Sequence, residues 1–136
     1  MRESMIATHF GRRLRAARPG LLALVVIATS AHANLVDIAW SEQGRFEHNA
    51  TVAPGKFVEV CGKLAKGQVI GWSFKSEQPL DFNIHYHQGK QVVVPAKRSD
   101  VGALDGQLAV ALDQDYCWMW TNKTAAPAAL AVRLQR

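Results

Sequence analysis

The chain has 136 residues, room for one domain, and its 49% hydrophobic and 20% charged content excludes a disordered polymer. Its +5 charge, from 16 Lys+Arg against 11 Asp+Glu, would point to an acidic partner if it were spread evenly. It is not: residues 1–33 hold Arg2, Arg12, Arg13, Arg15 and Arg18 with one acid, Glu3, which leaves 11 basic and 10 acidic residues over 34–136, a net of +1. Neither nucleic acid nor an anionic membrane is therefore expected as a partner.

The first segment reads as an address. Arg12, Arg13, Arg15 and Arg18 make a positive n-region, Leu21 to Ala28 is a short apolar run, and Ala31-His32-Ala33 offers small residues to a signal peptidase. The run falls short of the roughly 20 apolar residues that a helix needs to span a bilayer. Residues 1–33 are expected to be a signal peptide cut after Ala33, with an uncleaved anchor as the alternative. Residues 34–136 are then one exported domain, periplasmic or extracellular, with no transmembrane segment. Arg12-Arg13 leaves Sec and twin-arginine export both open. In an oxidising compartment the two cysteines, Cys61 and Cys117, favour pairing.

From residue 34 onward apolar residues recur with a period of two, never with a sustained period of 3.6. Thr51-Val52 comes first, followed by Val58 and Val60, then by Ile70, Trp72 and Phe74. Phe82, Ile84 and Tyr86 follow, with Gln91–Val94 after them. Leu108, Val110 and Leu112, then Tyr116, Trp118 and Trp120, and finally Leu130, Val132 and Leu134 complete the set. Turn signals separate them at Pro54-Gly55, Lys66-Gly67, Gln78-Pro79, Gln88-Gly89-Lys90, Asp105-Gly106 and Ala126-Pro127. About eight strands, each with one apolar face, must stack as two sheets around one core. The expected fold is an all-β, two-sheet antiparallel sandwich.

The run CGKLAKGQVIGWSFKSEQPLDFNIHYHQGKQV, followed later by DYCWMWTN, resembles the GOLD (Golgi dynamics) domain. The likeness lies in a Cys with Gly67 after it, an aromatic strand, an Asp-Phe-X-Ile strand, a Gly-Lys turn and a Tyr-X-aromatic-X-aromatic-X-Asn strand. It covers roughly residues 56–136 and implies a jelly-roll-like sandwich. Cargo receptors of that family carry a disulfide between an early Cys and one on the penultimate strand. Cys61 matches the first position, whereas the family's second position falls at Met119, two residues after Cys117. The chain ends at Arg136 just after the last strand, so the module alone is expected, and not a vesicle cargo receptor.

Jelly-roll order, as the resemblance implies, arranges the eight strands as sheets 2–7–4–5 and 1–8–3–6. The inward sets then leave Cys61, Cys117, Met119, His85 and His87 on one outer face. Thiols, a thioether and imidazoles together suit copper, less selectively zinc, while hard cations would want carboxylates, which this face is expected to lack. The metal set is therefore His85, His87, Cys117 and Met119, with a Cys61–Cys117 disulfide as the alternative to thiolate ligation. No nucleophile elbow or phosphate-cradling loop is present, and Asp100, Asp105, Asp113 and Asp115 read as scattered turn acids, so no enzyme is expected. His48 has no partner that the sequence names, and Asn49 and Asn122 each begin a glycosylation sequon. Two functions remain open: an exported copper carrier, or a disulfide-stapled module binding a protein or ligand through loops 95–107 and 121–127.

Overall fold

A computed structural model describes residues 34–136 as seven strands: β1 (Asn34–Asp37), β2 (Arg45–Val52), β3 (Phe57–Leu64), β4 (Val69–Gln88), β5 (Gln91–Ala109), β6 (Gln114–Thr121) and β7 (Ala128–Gln135). The expected signal peptide and its cleavage point lie outside the described residues. Strict alternation builds the strands. Ala128, Leu130, Val132 and Leu134 of β7 are buried while the residues between them are exposed, and β6 buries Tyr116, Trp118 and Trp120 in the same way.

The strands form two layers. One runs β1, β3, β6, the second half of β4 and the start of β5. The other runs β2, β7, the first half of β4 and the end of β5. This is the expected jelly-roll order, with two differences. Gln78-Pro79 and residues 95–107 are not turns or loops but parts of β4 and β5. Register shifts between Lys75 and Leu80, Leu80 and Phe82, and Ile84 and Tyr86 bend the long hairpin from one layer into the other without ending it. Asp100 marks the bend on β5 with φ 61, and its amide donates to Asp81 Oδ1 at 3.1 Å, while Asp81 pairs with Lys123. Asp105 and Asp115 accordingly sit in strands. The second difference is β1, four residues running parallel to β3 and too short to betray itself by alternation. His48 also lies in a strand, with its ring stacked on Phe46 at 6.2 Å between centroids.

The core between the layers is aromatic. Trp72 and Phe74 from one layer meet Phe82 and Trp120 from the other, with Trp72–Phe82 at 4.9 Å and Phe74–Trp120 at 5.6 Å between ring centroids. Gly106 is the cross-strand partner of Trp72, and a Cβ there would stand 2.6 Å from the indole, so only glycine lets the ring lie across β5.

Asn122 ties the two turn regions at one end of the layers. Its Nδ2 donates to Val52 O at 2.9 Å and Ala126 O at 2.8 Å, and its Oδ1 accepts from Thr124 N at 2.9 Å and Thr124 Oγ1 at 2.7 Å. This sequon asparagine is fully buried and saturated with hydrogen bonds, which withholds it from glycosylation. Of residues 121–127, expected to be a contact loop, Thr121 closes β6 and 122–127 form a loop organised around Asn122. Asn122→Ala leaves buried polar groups unpaired and is expected to lower the unfolding free energy by about 2–4 kcal/mol. Urea denaturation measures this; a loss below about 1 kcal/mol would show that water replaces the side chain.

Candidate functional site

The outer face of the first layer is ordered by register. On one cross-strand row Asp37, Cys61, Cys117 and His85 follow one another from β1 through β3 and β6 to β4. On the next row Leu35, Glu59, Met119, Asn83 and Lys97 do the same and reach β5. Outward parity on each strand follows from the burial of its inward neighbours: Val58 and Val60, Trp118 and Trp120, and Ile84. All five sequence-selected residues thus share one face, with His87 one further outward position along β4.

Cys61 and Cys117 are directly opposed, with Cα atoms 4.1 Å apart, and are joined by a disulfide. Such close facing belongs to a pair that exchanges no ladder hydrogen bonds, the arrangement in which side chains approach most nearly. The bridge is the arrangement expected as the alternative to thiolate ligation by Cys117: while it is closed, neither sulfur is a thiolate. The expectation that this face lacks carboxylates is also corrected. Glu59 stands two residues before Cys61, and its Oε1 lies 3.0 Å from His85 Nε2.

His85 is the unusual member. Although it points away from the core, it is only 7% exposed. Its Nδ1 donates to Asn83 Oδ1 at 2.7 Å, so both ring nitrogens are engaged. Burial pushes the imidazole below its ordinary 6.5; Glu59 pulls it partly back, and His87, with ring centroids 5.4 Å apart, adds to the depression. His87 itself is exposed and Met119 half-buried. Glu59, His85 and Cys117 present ligand-type atoms within 4.8 Å of one another.

Two open concavities flank the His85–Glu59 pair. One, of about 310 Å³, is lined by Phe57, His87, Val92, Val94, Lys97 and Met119. The other, of about 530 Å³, reaches Leu35, Asp37, Lys63 and both cysteines. Val92 and Val94 are 53% and 46% exposed, an apolar strip at the edge strand β5. Sequence reasoning missed Glu59 and Asn83. The parity that set Glu59 outward beside Cys61 was visible, but only the pairing of β3, β6 and β4 brings these two to His85.

Two measurements test this geometry. Replacing both cysteines by serine is expected to lower the unfolding free energy by about 3–4 kcal/mol through the freed 56-residue separation, read from urea unfolding. An unchanged midpoint would show that the ladder alone holds β3 to β6. In oxidised, chelator-treated protein the unfolded chain takes up the His85 proton that the folded state resists. Stability should therefore fall as pH drops below about 6.5 and level off below the depressed folded value. Glu59, His87 and Lys97 face the ring, with Asp37, Lys63 and Asp115 in the neighbouring concavity. His85→Gln should flatten that slope; an identical slope would place the titration elsewhere.

Among solved structures the chain is similar to the pre-peptidase C-terminal domain of a collagenase from Bacillus anthracis, with TM-score 0.56 and 10% identity over 76% of this chain and 95% of that one. It is also similar to PliG, a periplasmic inhibitor of g-type lysozyme, from Salmonella Typhimurium (TM-score 0.53, 15% identity, 76% and 98% covered). A PliG mutant from Escherichia coli gives 0.54, 12%, 76% and 98%. No family model and no curated protein matches the sequence, so the GOLD resemblance has no support of its own from them. At these identities the likeness shows the fold: a small β-sandwich.

Proposed function

We propose that this protein is an exported, non-enzymatic binding module that holds a protein partner against the outer face of its first layer. The observation that carries the reading is the apolar strip of Val92 and Val94 bordering the concavity with Phe57 and Met119, exposed beside a rigid, disulfide-stapled sheet. The His85–Glu59 contact at its centre and Lys97 at its rim supply directional contacts within an apolar patch. The concavities are open to water, which suits binding better than chemistry that must exclude it. Export is supported by the basic and apolar leader pattern of residues 1–33 and by the disulfide. Among the described residues no helix is long and apolar enough to cross a membrane. PliG, of the same fold, binds a protein, and g-type lysozyme is accordingly the first partner to try.

A photo-crosslinking residue at Val92, in protein exported by its own cells, is expected to yield a protein adduct that the same residue at Thr51, on the second layer, does not. No adduct, or equal adducts from both faces, would overturn the reading. Inhibition of g-type lysozyme, lost in Val92→Glu, would name the partner class.

The grouping of Glu59, His85 and Cys117 favours a second reading, a soft-metal site on the same face. With the bridge closed, copper would fall to His85, His87 and Met119, and His85 would have to give up Glu59 or share it with the ion.

A further inference from the structure

We propose that opening the Cys61–Cys117 bridge creates a tetrahedral zinc(II) site from the two cysteine sulfurs, His85 Nε2 and a Glu59 carboxylate oxygen. The inference rests on the soft-metal reading above and states what regulates that site: the disulfide closes it and reduction opens it.

The donor geometry is close to assembled. Asn83 Oδ1 accepts a hydrogen bond from Nδ1–H, leaving Nε2 to face Glu59. Such a hydrogen bond on the far nitrogen orients a metal-binding histidine. Zinc holding nitrogen and oxygen at ~2.0–2.1 Å sets a tetrahedral edge of roughly 3.4 Å between them. The His85 Nε2–Glu59 Oε1 separation is 3.0 Å, so an ion bound between them need push them apart only slightly. Two thiolates at ~2.3 Å from zinc stand about 3.8 Å apart, which side chains on facing residues reach by small rotations. Here the Cα atoms are 4.1 Å apart. Cys117 is also the cross-strand partner of His85, and its Sγ lies within 4.8 Å of the nitrogen and the carboxylate.

The donors choose the ion. Two thiolates, one imidazole and one carboxylate make a zinc set; the carboxylate oxygen is too hard to favour Cu(I). The concavity holding both cysteines and Glu59 gives reductant and ion access from solvent. The electron balance needs a dithiol reductant: the protein's S–S bond breaks, the reductant's two S–H groups become its own disulfide, and two cysteine thiols form. Zinc then displaces their two protons.

The test uses protein purified from cells expressing the full chain, stripped by chelator and titrated with cobalt(II) or zinc(II), with the bridge intact and after reduction by a dithiol that is then removed. The reduced protein is expected to bind one cobalt with thiolate charge-transfer absorption and the intense visible bands of a tetrahedral ion. Zinc should compete it away and restore any tryptophan fluorescence lost on reduction. The bridged protein should bind at least about 100-fold more weakly. His85→Ala and Glu59→Gln should each weaken the reduced site tenfold or more. Asn83→Ala, a positioning change, should weaken it by about 10–100-fold and be rescued by Asn83→Asp. No thiolate band on reduction, or a reduced chain that unfolds and is not recovered by zinc, overturns the proposal. Equal affinity with the bridge closed leaves a metal site and overturns the gate. Binding that survives both His85→Ala and Glu59→Gln assigns the ion to the cysteines alone and overturns the donor set.

Discussion

The pairing of β3 with β6 and of β6 with β4 decides what this protein can present to a partner. One register aligns Val60, Trp118 and Ile84 on the inside. The same register, one position along, aligns Cys61, Cys117 and His85 on the outside. A slip of one residue would turn the indoles outward and the thiols inward, so the hydrophobic demand of the core fixes the chemistry of the exterior. The aromatic contacts across the layers, Trp72 with Phe82 and Phe74 with Trp120, make that demand strong.

Much of this was legible in the alternation of residue types. The inward sets on β3, β4, β6 and β7 could be read directly, and jelly-roll order then brought the outward cysteines and histidines to one face. What the chain concealed has physical causes. Gln78-Pro79 reads as a turn because proline removes a ladder donor, yet at a bulge between two layers that loss is tolerated and the strand continues. Residues Asn34–Asp37 form a strand only because β3 offers a parallel edge, a tertiary fact with no local signature. Asn122 carries a sequon pattern, but its four side-chain hydrogen bonds show a structural knot.

The site was legible by half. Parity put Glu59 beside Cys61, but an isolated acid on a strand carries no meaning until a neighbouring strand supplies its partner. That partner, His85, lies on the outer face as parity requires and is nevertheless nearly buried, with Glu59 against one nitrogen and Asn83 against the other. A buried, fully engaged imidazole beside a disulfide differs from the loose His-X-His pair that the sequence presents. On the proposed opening of the bridge, the ion chemistry moves from copper on imidazole, thiolate and thioether toward zinc on thiolate, imidazole and carboxylate.

The proposed protein docking and the proposed metal binding draw on the same face without excluding one another, since the apolar strip of Val92 and Val94 lies to one side of the His85–Glu59 pair and the bridge to the other. Both depend on three strands converging their outward side chains at one point. Zinc K-edge X-ray absorption on the reduced, zinc-loaded protein examines that convergence most directly. Two sulfurs at ~2.3 Å with two nitrogen or oxygen neighbours at ~2.0–2.1 Å is the predicted shell. A shell of light atoms alone, with no sulfur, would contradict it.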